Sequence, residues 1–70
     1  MNTEIVRELL QRRPFEPLAV RLSGGETCEI RHPENVALGN ARLVIVDPET
    51  DRMAVCSLLH ITSIETLQTA

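Results

Sequence analysis

The stretch Pro14–Glu34, PFEPLAVRLSGGETCEIRHPE, decides the fold. Leu18, Val20 and Leu22 alternate with Ala19, Arg21 and Ser23, the period of two that sends apolar groups to one face of a strand. Past the glycines, Cys28 and Ile30 alternate with Thr27, Glu29 and Arg31. Opposite residues of an antiparallel pair share a face, so the register must match apolar to apolar. A two-residue loop of Gly24 and Gly25 opposes Arg21 to Cys28 and sets charge against core. A three-residue loop, Ser23-Gly24-Gly25, pairs Leu22 with Glu26, Val20 with Cys28 and Leu18 with Ile30. This second register keeps one face dry and puts Gly25 where a bulged turn needs positive φ. It also predicts Arg21 and Glu29 as diagonal neighbours on the wet face, an exposed pair of little energetic weight.

Upstream, about residues 3–13 read as an amphipathic helix. Asn2 or Thr3 caps it, Glu4 sits in the first turn, and Ile5, Val6, Leu9 and Leu10 share one side. Arg12 and Arg13 suit its negative C-terminal end, and Pro14 stops it. So short a helix is unstable alone, and docking its stripe on the sheet is the expectation, with a partner's groove as the alternative. Pro14-Phe15-Glu16-Pro17 is a rigid connector, with Phe15 closing the end of the core.

Downstream, Arg31-His32-Pro33-Glu34 interrupts the strand, because proline lacks an N–H and forces His32 extended. Asn35 to Leu38 resumes it and Gly39-Asn40 turns. Arg42 to Val46, RLVIV, is apolar on both sides and reads as a central strand. Asp47 to Asp51 is a loop of turn formers, and Arg52 to Ser57 returns antiparallel. In the last segment, Leu58, Ile61, Ile64 and Leu67 recur every three residues, yet the β-branched run favours a strand. A short turn at Leu58-Leu59 is expected, then a strand with an irregularity between Ile61 and Ile64, and a frayed end at Gln68-Thr69-Ala70. The expected fold is mainly β with an N-terminal helix. About five antiparallel strands over residues 17–67 close into a small SH3-like or Sm-like barrel, which hides its edges.

Composition narrows the function. Seventy residues make a single domain, 1–70, whose core alone gives only ~3–5 kcal/mol. Self-association would reinforce it. The formal charge is −3, and all seven basic residues are arginines spread among acids, with Phe15 the one aromatic residue. That pattern disfavours RNA and other phosphate-bearing partners, which call for basic patches and stacking rings. The absence of a membrane-length apolar run and of a basic-then-apolar leader predicts a cytoplasmic protein that does not enter a membrane.

At PFEP, RLSGGE, RHPE and SLLHITSIE, between Pro14 and Glu65, the chain resembles a family of short uncharacterised bacterial proteins. That family carries the pattern P-F-x-P, S-x-G, R-H-P-E and L-L-H-I-T-x-I-E. The resemblance supplies relatives and no activity. In element order the chain also resembles the Sm-like RNA chaperones of the Hfq type, which have an N-terminal helix and a lysine-histidine pair opening the last strand. His60 matches that histidine, whereas Leu59 stands in place of the lysine. This likeness implies a small barrel and an oligomer, with RNA as the alternative ligand.

Two spacings invite chemistry. Cys28-x3-His32 recurs as Cys56-x3-His60, four residue types that suit zinc. On a strand, however, a residue four further on lies ~13 Å away, so the spacing predicts no metal site. Cys28 facing the core argues against a reactive thiolate. No catalytic residue and no cofactor is expected, and the chain reads as non-enzymatic. His32 and His60 are the candidate interaction residues, with Arg31 and Glu34 beside His32 fixing its orientation. The bland reading of each histidine is a strand-end residue bonded to backbone. The expected function is an interaction module that self-associates or docks on a protein partner, with an oligomeric Sm-like RNA binder as the alternative.

Overall fold

The computed structural model describes residues 1–67. One helix, α1 (Thr3–Gln11), precedes six strands: β1 (Leu18–Leu22), β2 (Thr27–Ile30), β3 (Val36–Leu38), β4 (Arg42–Asp47), β5 (Arg52–Ser57) and β6 (Ile61–Thr66). The strands form two three-stranded antiparallel sheets, ordered β2-β1-β6 and β3-β4-β5. There are thus six strands where about five were expected, because the His32-Pro33 break divides one run into β2 and β3. No ladder joins the two sheets among the described residues. The expected fraying of Gln68-Thr69-Ala70 lies outside those residues.

The hairpin has the register that apolar matching demands. Leu18 pairs with Ile30 and Val20 with Cys28, and the Leu22 amide donates to the Glu26 carbonyl at 2.8 Å. Gly25 takes φ 92° and donates to the Leu22 carbonyl at 3.0 Å. No heavy atom lies within 4 Å of a Cβ built on either Gly24 or Gly25, so backbone angle alone separates the two glycines. Gly25→Ala is expected to cost ~1–2 kcal/mol through the left-handed backbone. Gly24→Ala is expected to gain up to ~1 kcal/mol by stiffening the unfolded chain. Urea titration of both variants measures the difference, and equal midpoints would refute the assigned turn.

The second strand beside β1 is β6, where Arg21 pairs with Ser63 and Leu22 with Ile61. Thr62 is the extra residue, the irregularity expected between Ile61 and Ile64, and its hydroxyl donates to the Arg21 carbonyl at 3.2 Å. The expected Arg21–Glu29 pair is corrected here. Arg21 Nε binds Glu65 Oε1 at 2.7 Å, and Glu29 Oε1 instead accepts from Arg31 at 2.9 Å. β1 is central, so Arg21 meets an acid from β6 that the local sequence does not foretell.

Inward residues of both sheets meet in one core of Leu18, Val20, Ile30, Leu43, Ile45 and Ile61, joined by Leu58 and Val6. Asn2 Oδ1 caps the helix by accepting from the Glu4 amide at 2.7 Å. Two further bonds fix the helix start: the Met1 ammonium donates to the Leu58 carbonyl at 3.0 Å, and Thr3 Oγ1 to the Asn40 carbonyl at 2.8 Å. Val6 is 1 % exposed, and Leu9, Leu10 and Phe15 pack against the core, so α1 docks within its own chain. Two helix expectations need correction. Ile5 is about half exposed, and α1 stops at Gln11, where Arg12 turns extended (φ −61°, ψ 140°). Arg13 still reaches back to the Leu10 carbonyl at 3.2 Å. No helix of the described chain is long and apolar enough to cross a membrane.

Candidate interaction surface

The chain passes between sheets twice, each time through a 3-10 turn. Pro33–Asn35 links β2 to β3, and Leu58–His60 links β5 to β6. Proline at the first helical position and a missing N–H suit the first turn. Ser57 Oγ accepts from the Leu59 amide at 3.3 Å and caps the second. The repeated Cys-x3-His spacing maps onto these crossings. Each cysteine sits on an edge strand, and each histidine four residues later sits in the crossover.

The histidines do not converge. His32 follows Ile30, the partner of Leu18, whereas the His60 carbonyl accepts from the Ser23 amide at 2.8 Å, beyond Leu22. The five residues of β1 separate them, roughly 16 Å at strand rise. His32 is exposed, and its carbonyl accepts from the Asn35 amide at 3.1 Å. It lines an open hollow of about 520 Å³ with Arg31 and, from the β4–β5 side, Asp47 and Glu49. Arg31 reaches sideways to Glu29, so its ion pair does not orient His32. Glu34 is exposed in the crossover. The His60 ring is exposed with Nδ1 3.5 Å from Ser23 Oγ. Each histidine therefore ties backbone at a crossover while its ring faces solvent.

The cysteines do converge. Cys28 points inward from β2 opposite Val20, and Cys56 points inward from β5 opposite Leu43. Both are free, with Cys56 buried and Cys28 half-buried. Burial pushes the Cys56 thiol pKa up, and the adjoining Cys28 thiol and the Glu26 charge push it the same way.

The outer faces of the two sheets differ in chemistry. On the β2-β1-β6 sheet, Glu29, Ala19 and Glu65 form one row and Thr27, Arg21 and Ser63 the next. That face is polar and ion-paired, as a solvated antiparallel face should be. On the β3-β4-β5 sheet, Leu43 and Ile45 turn inward, so Arg42, Val44 and Val46 turn outward. The register then builds a row of Ala37, Val44 and Val55 beside a pair of Val46 and Met53. Met53 is 66 % exposed and Val55 60 %. This patch carries no acid, and Arg42 closes one end.

In the sequence these residues carry no signal beyond RLVIV, apolar on both sides of one strand: the strand is central in its sheet, as expected, but no element of the described chain covers its outer side enough to bury it. Comparison with protein-family models, curated proteins and solved structures found no match for this chain.

Proposed function

We propose that this chain is a non-enzymatic interaction module that self-associates through the outer face of β3, β4 and β5. The observation that carries the reading is the apolar patch of Val44, Val46, Met53 and Val55. An alternating strand of a stable monomer places polar groups there. The shape of the patch favours a second copy as its occupant. Met53 and Val55 stand high along one side, while Ala37 and Gly39 leave the other side low. A two-fold axis along β4 sets the high side of each copy over the low side of the other, an isologous contact. The centre of the contact carries no charge, while the axis brings Arg42 to Arg42 at one end and the acidic Asp47–Asp51 turns together at the other, so the apolar centre and not charge favours the pair.

The patch is small. Three strands at ~4.8 Å spacing and six residues at ~3.3 Å rise span roughly 14 by 20 Å. That footprint, about 280 Å² per copy, lies below the ~1,200–2,000 Å² total of stable interfaces, so the association is weak and concentration-dependent. The two sheets and their two crossovers support the reading of a small SH3-like or Sm-like barrel. RNA is not the favoured partner, since Arg21 and Arg31 are already engaged by Glu65 and Glu29.

Sedimentation equilibrium from micromolar to millimolar concentration tests the proposal. A mass rising from one chain towards two supports it. A strict monomer across that range defeats it, as does association that disappears in high salt, which an apolar contact resists.

A further inference from the structure

We propose that Cys28 and Cys56 form a dithiol site for small-molecule disulfides of the glutathione type, which convert the pair into an intrachain disulfide stapling β2 to β5. The inference does not rest on self-association: both cysteines face inward, and Met53 alone is common to the seam and the outer patch.

Four observations carry it. First, β2 and β5 are edge strands of different sheets, and no ladder bonds one to the other among the described residues. Second, Thr27–Glu29 of β2 and Arg52–Ala54 of β5 flank one open hollow of about 530 Å³, so the seam is accessible to a small reagent. Third, Ala54 in that wall lies two residues before Cys56 and shares its inward face, which places the Cys56 side chain along the same seam as Cys28. Fourth, the two thiols adjoin closely enough to perturb each other while remaining unbonded. A disulfide requires Cα atoms within ~7 Å, and the bond ties the two edges together at the seam.

The chemistry balances by thiol–disulfide exchange. Cys28 is the more exposed thiol, and its thiolate attacks one sulfur of the reagent, forming a mixed disulfide and expelling one small thiolate. The Cys56 thiolate then attacks the Cys28 sulfur and expels the second. Two protein thiols give up two protons and two electrons, and the reagent leaves as two thiols.

The test uses the whole chain incubated with oxidised glutathione. The expected product is a monomer lighter by two hydrogens, with no free thiol and no bound glutathione. Its melting temperature rises on the order of 10 °C, because the bond closes a long loop in the unfolded chain, and dithiothreitol reverses the change. Cys56→Ala removes the resolving thiol, so that variant is expected to stop with one glutathione on Cys28. Should the variant fold poorly, the wild-type mass and thiol titration still decide. Unreacted thiols, two separate adducts or a link between chains would each overturn the proposal.

Discussion

Replacing Leu43 by alanine is expected to leave the chain largely unfolded at room temperature. Leu43 is 0 % exposed on the middle strand of its sheet, opposite Leu38 on one side and Cys56 on the other. Removing a buried leucine side chain costs about 2.7–5 kcal/mol, the upper values applying where the surroundings cannot collapse. Strand pairs on both sides hold this site open. A domain of this size has only ~3–5 kcal/mol in total, so the loss consumes most of it. Circular dichroism and a thermal scan of Leu43→Ala should show little β signal and no cooperative transition. Ile30→Val, which deletes one methylene from an equally buried site, should cost only ~0.5–1.5 kcal/mol and keep the transition. A Leu43→Ala chain melting within a few degrees of wild type would mean that the shared core is not what holds the sheets together. Because association stabilises the folded state by mass action, raising the concentration should recover part of the lost signal.

The hairpin was readable because two independent constraints agreed. Alternation on both strands allowed one apolar-to-apolar pairing, and the same pairing put a glycine at the positive-φ position. β6 was readable for a similar reason, since β-branched residues outweighed a three-residue recurrence that the 3-10 turn absorbs. What local pattern does not contain is who lies beside whom across the fold. Glu65 takes Arg21 because β6, forty residues on, lies on the far side of β1. Cys28 and Cys56 adjoin because each ends up inward on an edge strand, a fact of topology rather than spacing. The Cys-x3-His spacing runs along the strand, whereas the contact runs between strands.

The outer patch was hidden in another way. RLVIV reads the same whether a helix covers its second face or nothing does, and only the docking of α1 decides. Bonds from Met1 to Leu58 and from Thr3 to Asn40 tie the start of α1 to the crossover and the β3–β4 turn. Val6 then enters the common core rather than lying over Val44 and Val46. The free face is therefore a consequence of where a nine-residue helix begins.

Substituting both Met53→Lys and Val55→Lys is expected to abolish association while leaving the monomer intact. Both side chains are mostly exposed in the single chain, so their replacement there costs within ~0.5 kcal/mol of nothing. In the proposed pair each is covered twice, once in each copy. Burying such a side chain fully is worth ~1.5–3 kcal/mol, and most of that gain would come on association. Four lysines in the contact replace it with desolvated like charge, and lysine on an edge strand resists β5 pairing as well. Association should weaken by more than ~100-fold, since every 1.4 kcal/mol is a factor of ten. Sedimentation equilibrium then gives one chain at every concentration, and the concentration-dependent rise in melting temperature expected for wild type disappears. The paired control is Arg21→Lys with Glu65→Gln on the opposite sheet, which touches an exposed ion pair and should leave association unchanged. If the lysine variant associates as wild type does, the apolar face of β4 and β5 is not the contact. If only the control loses association, the polar sheet is the interface, and the two outer faces exchange roles.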